Sequence, residues 1–93
     1  MNVGIIQLEL SIPWAASLKD KRQVVSSLKD KLRKKFNVAI AEVGANDAWR
    51  TAMLGAATVG NEPKFVRQVC DTVVRWIEEN CEASLEDYEI EVI

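Results

Sequence analysis

Four cations recur along one segment at helical spacing. Lys19, Arg22, Lys29 and Arg33, with Ser26 filling the gap, fall three or four residues apart. In an α-helix such a set lines one flank. A row of this kind neutralises phosphates, with an affinity that falls steeply as salt rises. A nucleic acid or another polyanion fits the pattern; an ordinary solvated helix face has the same look. A second group gathers around two tryptophans. Trp14 follows Pro13, and Trp49 lies between Asp47 and Arg50, with Glu42 a little upstream. An indole in a loop can stack on a base or line a small-ligand pocket, and it can equally lid the core. Glu42 and Asp47 are the one carboxylate pair placed for general acid–base work, a weak signal because acids flank many turns.

Other chemistries lack a team. The chain has no histidine and two cysteines, Cys70 and Cys81. That leaves no zinc-type ligand set, and neither a metal nor a cofactor is expected. Both cysteines fall in or at the end of one helical segment, where their separation is ~16 Å along the axis. A disulfide needs Cα atoms within ~7 Å, so two small buried thiols are expected instead. There is no glycine-rich phosphate loop and no dinucleotide fingerprint. With no activated nucleophile either, an enzyme is not the expected class.

The elements that would position these residues follow from periodicity. Residues 2–12 alternate, with Ile6, Leu8, Leu10 and Ile12 on one face and Gln7, Glu9 and Ser11 on the other, which predicts a strand ended by Pro13. Val3 and Ile5 put apolar side chains on the second face as well. Residues 17–35 predict a helix: Ser17 as N-cap, Asp20 in the capping-box position, and Leu18, Val25, Leu28 and Leu32 as the buried stripe. Residues 36–43 and 50–59 predict a hairpin of two strands around the turn residues Gly44-Ala45-Asn46-Asp47. Residues 62–80 predict a second helix, capped by Asn61, with Pro63 in the first turn. Residues 87–93 predict a last strand with Tyr88, Ile90 and Val92 inward and Glu89 and Glu91 in water.

The order βαββαβ is the ferredoxin-like split βαβ, an α+β fold in one domain, residues 1–93. Right-handed crossovers make it an antiparallel sheet of order 4-1-3-2 with both helices on one face. Its other face is left bare, with Val3 and Ile5 pointing there, so a homodimer through the open face is expected. The predicted first and third strands carry no aromatic residue, which excludes the stacking platform of an RRM. Charge is uneven. Residues 1–35 hold eight Lys/Arg against three Asp/Glu, and residues 61–93 hold three against nine, a polarity suited to an anionic partner or to self-association. No stretch has the apolar length of a membrane helix and the first residues lack signal-peptide character, so a cytoplasmic protein is expected.

The segment Ser17-Leu-Lys-Asp-Lys-Arg-Gln-Val-Val-Ser-Ser-Leu-Lys-Asp-Lys-Leu-Arg, running into Phe36-Asn-Val-Ala-Ile-Ala-Glu-Val43, resembles the YlxP-like family of small bacterial domains of unknown function. The likeness continues through Asp47-Ala-Trp49 and Leu54-Gly55 and covers nearly the whole chain; Ala39 stands where serine is common in the family. The resemblance implies a ferredoxin-like fold and no assigned activity, so it brings no catalytic residues. In some bacteria the gene of this family lies among genes for translation initiation and ribosome maturation. That implies an RNA or ribosome connection for the basic stripe. The alternative is a dimeric small-ligand or regulatory module using the Trp14/Trp49 end.

Overall fold

The structure, a computed structural model, describes residues 1–93. Six elements follow one another: β1 (Asn2–Ser11), α1 (Leu18–Lys35), β2 (Ala39–Gly44), β3 (Thr51–Gly60), α2 (Pro63–Asn80) and β4 (Ser84–Val92). The sheet order is β2-β3-β1-β4, with every neighbouring pair antiparallel. This is the ferredoxin-like arrangement expected from the sequence.

The core lies between the sheet and the two helices. Ile6, Leu8 and Leu10 of β1 and Ala52, Leu54 and Ala56 of β3 face Val25, Leu28 and Leu32 of α1 and Cys70, Val73 and Ile77 of α2. Period two in the strands and period 3.6 in the helices put these side chains in one layer. Two glycines permit the close approach of α2. A Cβ on Gly4 would sit 2.6 Å from Cys70 Sγ, and one on Gly60 would sit 2.8 Å from Val66 Cγ2. Neither glycine has a positive φ, so lack of bulk is what each position requires.

Three boundaries differ from the periodicity. β2 begins at Ala39, because Thr58 takes the Asn37 carbonyl through its hydroxyl (2.9 Å) where a ladder bond would otherwise form. Phe36 caps the C-terminus of α1, and Phe36 and Val38 pack on the core from outside the sheet. β4 begins at Ser84, three residues earlier than alternation implies. A bulge opposite Glu9/Leu10 inserts one residue, so Leu85 faces Leu10 and the period of two is broken at Glu86. Tyr88 does lie on the helix-side face, opposite Leu8, yet stays 46% exposed because β4 is an edge strand. The α2 cap is Glu62 and not Asn61, and it makes no side-chain capping bond.

Candidate functional site

Helix α1 carries the basic surface. Ser17 holds an extended backbone and its Oγ accepts from the Asp20 N–H at 3.1 Å, while Asp20 Oδ2 accepts from the Ala16 N–H at 2.9 Å. This reciprocal capping starts the helix and fills its N-terminus with its own carboxylate. An external anion gains little there. Arg33, Lys34 and Lys35 form the last turn, where cations oppose the negative helix end.

The four cations singled out by spacing are placed differently. Lys19 and Arg22 are exposed. Together with Gln23, Ser26, Asp30, Lys31 and Lys34 they line a shallow polar groove of about 690 Å³ with no hydrophobic residue in its wall. Lys29 is half-buried on the flank. Arg33 turns toward the sheet: its Nη2 donates to the Ile40 carbonyl at 3.1 Å, and its Nη1 lies 3.8 Å from Asp30. It therefore covers an edge carbonyl of β2, a use of charge that blunts strand pairing. Lys31 and Lys34 take the place of Lys29 and Arg33 at the groove. The three- and four-residue spacing through 19, 23, 26, 30 and 34 reaches Lys34, whereas Lys31 lies off that series.

Lys21 is the residue that spacing alone failed to single out. It stands between Leu18 and Val25 on the buried stripe and is 1% exposed. Its Nζ lies 2.8 Å from Glu42 Oε2 and donates to the Ala45 carbonyl at 2.6 Å and the Thr51 carbonyl at 3.2 Å. Glu42 Oε2 is itself buried and makes no well-directed hydrogen bond, so the ammonium is the charge that balances it. Glu42 is thereby engaged inside the fold and is not a free general base beside Asp47. The clamp also explains the turn. Ala45 sits at φ 55, a left-handed conformation uncommon for a residue with a Cβ, and its carbonyl is held both by Lys21 and by the Ala48 N–H.

The two tryptophan loops meet at one end of the sheet. The Ile12 N–H donates to the Arg50 carbonyl at 2.8 Å, and Arg50 Nε donates to the Ala15 carbonyl at 3.1 Å. Arg50 is thus a tie between the loops. Trp14 is 54% exposed and Trp49 49%, so neither serves as a lid on the core. Asp47 is exposed in the same turn.

The cysteines form no bridge. Burial pushes the Cys70 thiol up, with Asp71 adding and Arg67 opposing. Burial also raises Cys81, opposed by a hydrogen bond from the Ala83 backbone, while Glu82 adds and Lys31 opposes. Both therefore stay as neutral thiols at pH 7, poor nucleophiles. No group of three or more His, Cys, Asp or Glu is gathered as a metal site. No helix is long and apolar enough to cross a membrane.

Residues 3–90 match the model of a family described as "Protein of unknown function (DUF503)". The chain belongs to this family. It is 32% identical over 76 residues to "Uncharacterized protein YlxP" of Bacillus subtilis (strain 168), covering 82% of this chain and 83% of that one. Among solved structures it is similar to "De novo designed protein Ferredog-Diesel", with a TM-score of 0.52 and 12% identity over 96% of this chain and 83% of that chain. A likeness at that identity concerns the fold alone. Neither the family description nor the YlxP relative carries an assigned activity.

Proposed function

We propose that this protein is a non-enzymatic binding module whose α1 groove holds the phosphates of RNA. The observation that carries it is the groove itself. Lys19, Arg22, Lys31 and Lys34 present four cations along one exposed helix face, and Gln23 and Ser26 add hydrogen-bonding groups between them. The wall has no apolar residue, which suits a hydrated backbone better than an apolar ligand. RNA is favoured over other polyanions by the exposed Trp14 and Trp49, which offer stacking faces to unpaired bases beyond one end of the helix.

The test is binding of a single-stranded RNA oligonucleotide across a salt series. Four phosphate contacts give log K against log salt a slope of about −3. Replacing Lys19, Arg22, Lys31 and Lys34 together by serine removes most of the affinity and flattens the slope. Affinity that ignores salt, or that survives the quadruple substitution, overturns the proposal.

A second function is favoured by the Arg50 tie, which locks two loops bearing half-exposed tryptophans into one surface. A small planar ligand held there would raise the melting temperature by mass action, and would do so equally in the quadruple serine variant.

A further inference from the structure

The bare face of the sheet is ordered in rows by the strand register. Glu91, Ile5, Ala57 and Ala39 stand side by side across β4, β1, β3 and β2. The next row is Glu89, Gln7, Gly55 and Ala41, and the one after it begins Asp87, Glu9, Met53. The first two rows thus run from a carboxylate at the β4 edge to small apolar side chains at the β2 edge, and the third carries a second carboxylate, Glu9, on β1. Val43, 62% exposed, leans over Gly55: a Cβ there would lie 3.1 Å from its Cγ1. The result is a shallow apolar trough of about 420 Å³ bounded by Ile5 on one side and Val43 on the other. None of the residues in these rows is Lys or Arg.

From these dimensions and charges we infer that the open face is a docking site for a cationic amphipathic helix of a partner protein. The trough spans the strands β2, β3 and β1, two inter-strand steps of ~4.8 Å, which is the diameter of one helix, ~10 Å. The carboxylates lie one strand further out, under the flank of a helix seated in the trough. Asp87, Glu89 and Glu91 are two residues apart along β4, a repeat of ~6.7 Å. Lys or Arg side chains four residues apart on a helix repeat every ~6 Å, so three consecutive cations match three consecutive acids. An added strand would pair at the outer edge of β2 or β4, whereas the trough lies on the face of the sheet, which a helix covers. A second copy of this chain fits less well. Its own open face brings no cation: with a twofold axis across the strands the same carboxylates meet, and with the axis along the strands they lie unpaired over the apolar β2 edge.

The probe is a synthetic helical peptide of about 18 residues, ~27 Å long, with leucines along one face and lysines at every fourth position of one flank. Its partner control is a scramble of identical composition with no apolar face. Binding is read by fluorescence anisotropy at moderate salt, and circular dichroism checks that each variant is folded. The amphipathic peptide is expected to bind at least ~10-fold tighter than the scramble, by more than the 1.4 kcal/mol that a tenfold change represents. Ala41→Lys, an exposed substitution in the trough, and the triple variant Asp87→Asn/Glu89→Gln/Glu91→Gln should each lower that affinity at least ~10-fold. Equal binding of the scramble, or binding unmoved by Ala41→Lys, overturns the inference. So does sedimentation of the free protein as a dimer that Ala41→Lys converts to monomer, since a second copy then occupies the face. These outcomes do not depend on the α1 groove, which lies on the other side of the sheet.

Discussion

Helices α1 and α2 have the same length, 18 residues, and do opposite jobs. α2 is an apolar wedge. Val66, Cys70, Val73, Val74 and Ile77 are buried, and the helix reaches β1 only because Gly4 leaves room. Its start lacks a side-chain cap and it depends on packing for its existence. α1 is polar on most of its surface and carries eight Lys/Arg, of which one, Lys21, is buried in the core layer. Besides the buried Val24, Val25, Leu28 and Leu32, it is fixed by a capping box at one end and by the Lys21–Glu42 pair on its inner face. Both helices bury an apolar stripe and expose the opposite face; they differ in what is added to it, polar anchors and a mostly basic exposed face in α1, an uncapped start and a face of mixed charge in α2.

That contrast can be broken most strongly at Lys21. Lys21→Ala leaves Glu42 without its counter-charge and should cost about 3–5 kcal/mol by urea denaturation. Lys21→Met with Glu42→Leu should recover part of that loss. It will not recover all, because the Ala45 and Thr51 carbonyls lose their donor. Next in size is the α2 side: Gly4→Ala forces a methyl against Cys70 and Val66 and should cost about 1–3 kcal/mol, with Cys70→Ala partly relieving it. Ser17→Ala removes the α1 cap and should cost about 1 kcal/mol, whereas Glu62→Ala at the uncapped α2 should change stability by much less. The smallest stability effect is expected for Lys19, Arg22, Lys31 and Lys34, where single substitutions to serine should stay within about 0.5 kcal/mol while weakening RNA binding. A large stability loss there would make the basic face structural and erase the distinction between the helices.

The charge of the two cysteines gives a pH check of the same contrast. Each thiol has a folded pKa raised above its ordinary value. Above about pH 8.5 the unfolded chain gives up these protons while the folded chain keeps them. Stability should therefore fall as pH rises through that point, and Cys70→Ala should flatten the decline, as thermal melts at pH 7 to 10 would measure.

Much of this was legible in the residues themselves. Strict alternation in β1, the Ser17 cap, the stripe of Val25, Leu28 and Leu32, and Pro63 at the start of α2 each encode a local geometry through a short-range rule. Six such elements in that order leave few chain paths, which is why the sheet order followed. The register breaks at Glu86 and Val43 were not legible, because a bulge arises from how two strands meet.

The candidate surface divides along the same line. The sequence by itself determined that α1 is a cationic amphipathic helix and that two tryptophans fall in the loops flanking β1 and β3, since spacing and turn chemistry act over a few residues. Only the tertiary structure decided which cations are free. Lys21 and Arg33 look like their neighbours in the sequence, yet one is drawn into the core by Glu42, Ala45 and Thr51, and the other covers the Ile40 carbonyl. Their partners lie on other elements of the fold, and a charge is committed or available according to what the folded chain brings beside it.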